Sequence, residues 1–304
     1  MNRQLTTSIT LILFLLASLL PGATDNSAYA QKKKIILRQA NTLEGGTMRS
    51  PLTGNTEPVR SVAGDVIFQH GDLVLTCDRA TEFRESQVIE LKGNIRISDP
   101  SSELYGNHGL YYPQTGNGEL NGDVKGRLLE NDLVIKGQNM FMNERDDTIR
   151  LAGNALAWHG KNQLSGESML VRLANRNGDR SIERITVTGQ AFLAMPDTLE
   201  QHSELYHQLK GEQIVITLDE ASQLRSIESE QQAELLYYTY EETTPSGVNR
   251  TSGKRITLEF DNGKISSITA FGNATGKQHP SSQRTNPAIN LPGFLIRAGE
   301  KPSF

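Results

Sequence analysis

Apolar and polar residues alternate with a period of two along short segments between about residue 60 and residue 276. In segment 89–97 one parity is polar or charged, and the other consists of Ile89, Leu91, Gly93, Ile95 and Ile97. Segments 149–157 and 185–193 repeat this pattern. Such alternation predicts β-strands with one apolar and one solvated face. The chain is therefore predicted to be all-β.

Two glycine-centred motifs recur along these predicted strands. The first reads apolar, any residue, Gly, Asn/Asp/Gln, apolar, and its glycines are Gly64, Gly93, Gly122, Gly153, Gly189 and Gly272. The second reads apolar, any residue, Gly, two polar residues and an apolar pair, and its glycines are Gly106, Gly137, Gly166, Gly211 and Gly253. The spacing is roughly 29–31 residues and lengthens to about 42 near the C-terminus. This period indicates stacked copies of one supersecondary unit.

The glycines of the first motif are expected to lie on the inward side of the sheet, where each lets a long strand turn a corner. Strands that turn corners in register form a rolled antiparallel sheet whose two halves face each other. The sequence allows either one long roll or two stacked lobes. The segment Pro196–Leu209 interrupts the strand rhythm as a short helix or a longer loop, so a lobe boundary is expected near 196–208.

Residues 1–30 have the features of a secretory signal peptide. Arg3 precedes the apolar stretch Ile9–Leu20, and Ala28-Tyr29-Ala30 is a small-residue cleavage site before Gln31. The apolar stretch of about 12 residues is shorter than the roughly 20 needed to span a bilayer, which favours cleavage over a retained anchor. We therefore expect an exported protein.

The rest of the chain divides by composition. Residues 277–304 are rich in Pro, Ser and Asn, so a flexible tail is expected there. The predicted parts are a linker and first strand at 31–58, a jellyroll unit at 59–195, a continuation or second lobe at 196–276, and the tail at 277–304.

The charged and titratable residues suggest no catalytic chemistry. The formal net charge is −4 and the basic residues are scattered, so nucleic acid is not an expected partner. The six histidines lack the spacing of metal ligands, and His202 and His207 lie five residues apart. Cys77, the single cysteine, takes the glycine position of a second-motif copy, as expected for a small buried residue. No catalytic residue, metal site or cofactor is predicted.

The inward positions have two interpretations: an ordinary closed core, or a groove between the sheets that holds an apolar ligand. Methionines follow the second-motif glycines, and flexible thioethers suit a surface that repacks around variable apolar ligands. In the groove interpretation, the lipid contacts are Val66, Phe68, Leu75, Ile95, Ile97, Ile135, Met140, Met142, Met169, Val171, Ile214 and Ile216.

The alternating motifs resemble the OstA/LptA-like family of periplasmic proteins in Gram-negative bacteria. The segments that carry the resemblance are 62–83, 89–112, 130–157 and 163–193. The resemblance implies a β-jellyroll that is open at both ends and stacks end to end. It further implies that lipopolysaccharide passes from the inner to the outer membrane with its lipid A acyl chains in an apolar groove. The family has no catalytic residues.

The resemblance therefore predicts a non-enzymatic lipid carrier whose partners are lipopolysaccharide and other jellyroll proteins of the transport bridge. Head-to-tail self-association is expected through an exposed N-terminal strand near 59–68, whereas the tail 277–304 is a candidate cap for one edge. Two alternatives remain at this point. One is an exported polysaccharide-binding or adhesive β-repeat protein. The other is a membrane-anchored inner-membrane partner of the same pathway.

Overall fold

The computed structural model describes residues 36–304 apart from 71–72, 101, 130–132, 144, 177–178, 198–203 and 221–222. The predicted signal peptide at 1–30 lies outside the described residues. The described part contains sixteen strands and three 3-10 turns. This confirms the all-β prediction.

The strands are long and most are separated by tight turns. Their bounds are β1 Ile36–Gln39, β2 Thr42–Arg49, β3 Thr56–His70, β4 Leu73–Phe83, β5 Val88–Asp99, β6 Ser102–Tyr112, β7 Asn117–Leu128, β8 Leu133–Asn143, β9 Thr148–His159, β10 Asn162–Arg176, β11 Asp179–Pro196, β12 Tyr206–Leu218, β13 Leu224–Glu241, β14 Thr244–Asp261, β15 Lys264–Phe271 and β16 Thr275–Pro280. The 3-10 turns are Ser281–Gln283, Pro287–Ile289 and Ala298–Glu300.

All strand pairs are antiparallel, and from β3 to β15 each strand pairs with its neighbour in sequence. Two short strands share one long partner at each end of this series: β1 and β2 both pair with β3, and β15 and β16 both pair with β14. The sheet continues through the predicted boundary near 196–208, because β11 and β12 pair from Arg184↔Thr217 to Pro196↔Tyr206. One sheet therefore spans both predicted parts.

A β-bulge that contains a first-motif glycine bends each of the strands β3, β5, β7, β9 and β11. In β5, Gly93 and Asn94 together oppose the single residue Asn107 of β6. Both bulge residues have positive φ, 74° and 46°, which favours Gly and Asn. A Cβ on Gly93 would lie 2.0 Å from Oδ2 of Asp78, an exposed side chain of β4. The expectation of an inward glycine is therefore wrong: its missing side chain leaves room for a polar residue on the outer surface.

The second-motif glycine lies on the inner side of the same corner. Gly106 pairs with Ile95, and a Cβ there would lie 2.6 Å from the side chain of Leu120 on β7. The space left by the glycine is thus filled by a leucine of the next strand. Cys77 has the equivalent position opposite Val66 and is buried, and this burial raises the pKa of its thiol to about 11.

The corner divides each strand into two halves, and the inward side chains of both halves lie in one apolar cluster. Leu91, before the corner of β5, and Ile97, after it, belong to the same cluster. This cluster extends from Val62 on β3 to Leu258 on β14. It forms the interior of the roll.

The N-terminal linker predicted at 31–58 contains more regular structure than its sequence suggested. Beyond the apolar run at β1, strand β2 pairs along Thr42↔Ala63 to Arg49↔Thr56. Its sequence shows no alternation because nearly all its side chains are exposed. Together β1 and β2 cover one edge of β3. The segment 59–68 is therefore paired on both sides, and the expectation that it forms a free edge is wrong.

The C-terminal tail is also ordered, contrary to the expectation of a flexible segment. Residues 275–280 form β16, and residues 281–304, which we name the strap, run across the outer surface of the sheet. Ile289 and Leu291 of the strap are buried in an apolar cluster with Tyr238 of β13. Composition did not predict this contact, because the strap contributes few apolar residues. Each of them also lies far in sequence from the residue of β13 that it contacts.

Candidate functional site

Two apolar cavities lie inside the roll. The larger has a volume of about 260 Å³ and the smaller about 140 Å³. The lower limit for small-molecule sites is about 300 Å³, so the larger cavity approaches that size. The lining side chains are mainly Leu, Ile, Val and Met, which suits an aliphatic ligand.

The twelve predicted lipid contacts all belong to the interior cluster or pack against it. The larger cavity is lined by Ile135, Met140, Met169, Val171 and Ile216. The smaller cavity is lined by Phe68, Leu75, Ile97, Met140 and Met142.

The other predicted contacts lie away from both cavities. Val66 and Ile95 sit at corners, opposite Cys77 and Gly106, and are almost completely buried. Ile214 is completely buried between β11 and β13. The structure thus divides the predicted set into side chains that line a cavity and side chains that fill the corners.

Met140 and Leu104 line both cavities and therefore lie between them. Met140 is unbranched and has three rotatable bonds, so its side chain changes rotamer at little cost. A change of rotamer at this one position would alter the separation between the two cavities. The two cavities are thus neighbours that share part of their lining.

Sequence reasoning missed several lining residues. They are inward apolar positions on the same strands, among them Leu104, Ile149, Leu151, Ile185 and Leu193. The period-two alternation could have identified most of them. Ile149 and Leu151, for example, belong to the apolar parity of segment 149–157. What the sequence does not contain is the packing that leaves space beside some inward positions and none beside others.

One end of the larger cavity carries polar groups from strand ends and turns. His159 and Asn162 line the cavity there, whereas the neighbouring Glu103 and Arg127 side chains form an ion pair on the outer face. Burial alone would raise the pKa of the Glu103 carboxyl, but hydrogen bonds from Arg96, Arg127 and Tyr105 outweigh this and lower it to about 2. The groove is therefore apolar along its length and polar at one end.

Other kinds of site have little support in the described residues. Within them, no group of three His, Cys, Asp or Glu side chains is placed to hold a metal ion. The helices of the described part are three-residue turns, and none is long and apolar enough to cross a membrane. The interior groove is the candidate site that the geometry supports.

Comparison with known proteins identifies the strand repeat. Residues 32–140 match the family described as OstA-like protein, as the resemblance predicted. This segment of the chain is similar to that family. The match covers the strands from β1 to the corner region of β8, which include all lining residues of the smaller cavity except Met142.

A curated relative and a solved structure are similar to parts of this chain. The LPS-assembly protein LptD of Pseudomonas fluorescens Pf-5 is 28% identical over 128 residues, which cover 40% of this chain and 13% of LptD. The chain thus matches only a small part of that relative. LptH of Pseudomonas aeruginosa, an LptA-homologous periplasmic component of lipopolysaccharide transport, aligns with a TM-score of 0.34 and 14% identity. That alignment covers 47% of this chain and 84% of LptH.

Proposed function

We propose that this chain is a non-enzymatic, periplasmic component of lipopolysaccharide transport that holds acyl chains in its interior groove. The observation that carries the proposal is the pair of adjacent apolar cavities, separated by Met140 and Leu104, inside a sheet of OstA-like strands. The curated relative is named for lipopolysaccharide assembly, which supports the choice of ligand.

The chemistry of the groove also favours an amphiphile. Its interior offers aliphatic side chains, and the polar end offers the imidazole of His159 and the amide of Asn162. An acyl chain in the interior would place a polar headgroup near these donors. Burial of each methylene contributes about 0.8 kcal/mol, so a chain of several methylenes supplies a sizeable binding energy.

Partner proteins are proposed to join at the free edges of the sheet. The strand pair β1 and β2 covers one side of β3, and β15 with β16 covers one side of β14, so these short strands form the two outer edges. Exposed edge strands pair readily with another chain. We propose that they bind another OstA-like jellyroll, or a second copy of this chain, by adding strands in series.

The ligand is tested by photocrosslinking in living cells. A photoreactive amino acid at Val171 samples the larger cavity, and one at Ile97 samples the smaller. Both are expected to capture lipopolysaccharide, identified by mass spectrometry of the purified adduct. Lipid extracted from protein purified from its native envelope provides an independent measurement.

Two positions serve as controls for this experiment. Leu43 is exposed on β2, and Ile214 is buried away from both cavities, so neither is expected to capture lipid. Capture of a polysaccharide without acyl chains would instead support the polysaccharide-binding alternative. The proposal is rejected when the groove positions capture no lipid while the protein is present and folded.

A further inference from the structure

The strap lies along one row of outward-facing residues that crosses the sheet. Directly paired residues of adjacent strands lie side by side on one face. From β8 to β13, this row consists of Val134, Trp158, Gln163, Ala194, Gln208 and Leu236. Strands are about 4.8 Å apart, so from β7 to β13 the strap crosses about 30 Å of sheet.

Two buried glutamines attach the middle of the strap to this row. Gln208 is completely buried; its side chain donates to Asn290 Oδ1 at 2.6 Å and accepts from the Leu291 backbone N–H at 2.9 Å. Gln163, 3% exposed, donates to the carbonyl of Leu295 at 2.9 Å and accepts from the Arg297 N–H at 2.6 Å. Each amide thus uses both of its ends to hold the strap.

A buried arginine anchors the start of the strap. The Arg284 guanidinium pairs with the buried carboxylate of Asp197 at 3.1 Å and donates to the carbonyl of Gly247 at 3.0 Å. It also lies over the rings of Tyr238 and Tyr240, 4.9 Å and 4.6 Å from their centroids. One side chain therefore connects the strap to β13, β14 and the end of β11.

The last residues of the strap contact β6 and β7. The Phe304 ring packs against Tyr105, with centroids 5.6 Å apart, and the guanidinium of Arg127 lies 4.7 Å from its centroid. The ammonium of Lys125 donates to the carbonyl of Ser303 at 2.8 Å. The strap is thus attached at both ends and at two points between them.

The attachment points lie on the reverse side of the strands that line the larger cavity. Because side chains alternate between faces, the neighbour of an outward residue points inward. Gln163 is followed by Leu164 and Arg127 is preceded by Gly126, and both neighbours line the larger cavity. Only the thickness of one sheet separates the strap from the groove.

We propose that the strap is a brace that limits widening of the groove, with Arg284 as its anchor. Widening requires the sheet to change its curvature across the strands. A change in curvature alters the path length along the outer row, and a segment attached at four points resists that change. This inference goes beyond the proposed function, since it concerns the width of the groove whatever ligand enters.

The test measures the motion of the roll without any lipid. Nitroxide labels at exposed Lys161 and Arg184 lie on opposite sides of the corners of β10 and β11. The labels are placed in a Cys77→Ala background, and electron–electron resonance gives their distance distribution. Hydrogen exchange of the strap amides reports attachment in the same samples.

In Arg284→Gln, we expect protection of the strap amides to fall by about a hundredfold or more, because loss of one ion-pair partner leaves Asp197 buried with its charge. The label distribution should broaden and extend to longer distances. Arg225→Gln, which removes an exposed arginine on β13, is the matched control and should change neither measurement.

Two outcomes overturn the inference: a released strap with an unchanged label distribution, or a strap that stays protected in Arg284→Gln. If Arg284→Gln fails to fold, Gln163→Ala is tested instead by the same two measurements. This substitution removes a central attachment of the strap without leaving a buried charge. No lipid is present, so this result is separate from the outcome of the photocrosslinking.

Discussion

Both faces of strands β6–β14 bury apolar side chains, but the packing differs between the two faces. On the inner face, Leu104 and Met140 adjoin open cavities. On the outer face, the strap covers Leu236, Tyr238 and Val248, and these side chains are at most 2% exposed. The outer face is thus covered by a segment of the same chain, whereas the inner face adjoins two cavities.

An apolar pattern therefore does not by itself indicate a ligand. The same alternation of Leu, Ile and Val produces a filled surface where a covering segment exists. It produces a groove where two sheet halves face each other across corners. Substitutions on the two faces should therefore differ in their effects.

The largest effect is expected from placing a charge inside the roll. Ile95 is 1% exposed and lies at a corner, whereas Ile97 lines the smaller cavity. Ile95→Asp should cost more than about 4 kcal/mol and leave little folded protein, because the carboxylate has no partner or water. Ile97→Asp should cost clearly less, because water can enter the cavity. Circular dichroism during urea unfolding measures both.

Ile95→Ala and Ile97→Ala control for the loss of volume at each site. Equal destabilisation by the two aspartates would mean that the smaller cavity behaves as closed core. That result would contradict the proposed groove. The rolled sheet would still account for the sequence repeat.

The second effect compares two buried leucines of the two faces. Leu236 is completely buried on the outer face, and Leu104 lines both inner cavities. Leu→Ala in a core costs about 2–5 kcal/mol, depending on how tightly the leucine was packed and how far its surroundings relax. The destabilisation by Leu236→Ala should lie near the upper end of this range. The destabilisation by Leu104→Ala should lie near the lower end, because Leu104 already lines two cavities. The free energy of unfolding in urea gives both values.

A larger loss of unfolding free energy for Leu104→Ala than for Leu236→Ala would contradict this prediction. The inner face would then be the more tightly packed one. Any lipid that copurifies must be removed first, since a bound ligand stabilises the folded state.

The smallest effect is a pH dependence of the outer face. His207 lies beneath the strap anchor, its Nδ1 accepting from the Tyr238 N–H at 3.2 Å. Burial, aided by the Arg284 charge, lowers its pKa to about 4 although Asp197 opposes this. The unfolded chain binds the proton near pH 6.5, so stability should fall as pH falls from about 6.5 to 4, by up to about 3 kcal/mol.

His207→Gln should remove this slope from the unfolding free energy measured between pH 7 and pH 4. The loss from Glu103, whose pKa is lowered to about 2, belongs to lower pH, from about 4.5 downwards. Identical pH profiles for the native protein and His207→Gln would show that the imidazole is not buried as described.

The strands, most of their corners and the resemblance to OstA-like proteins follow from the sequence alone. Period-two alternation marks a strand because neighbouring side chains point to opposite faces, and Gly-Asn or Gly-Asp pairs mark a bulge because they tolerate positive φ. These are local properties of a few consecutive residues. The repeat at 62–193 therefore predicted the rolled antiparallel sheet and the OstA-like resemblance directly.

No sequence pattern shows which inward residues line a cavity or which segment covers the outer face. Both features depend on tertiary packing. Ile95 and Ile97 share parity and residue type, yet one fills a corner and the other lines a cavity, because the side chains of neighbouring strands differ. The strap binds through Gln163, Gln208 and Arg284, which lie far from their partners in sequence. Packing and long-range hydrogen bonds depend on residues brought together by the fold, and no local pattern encodes them.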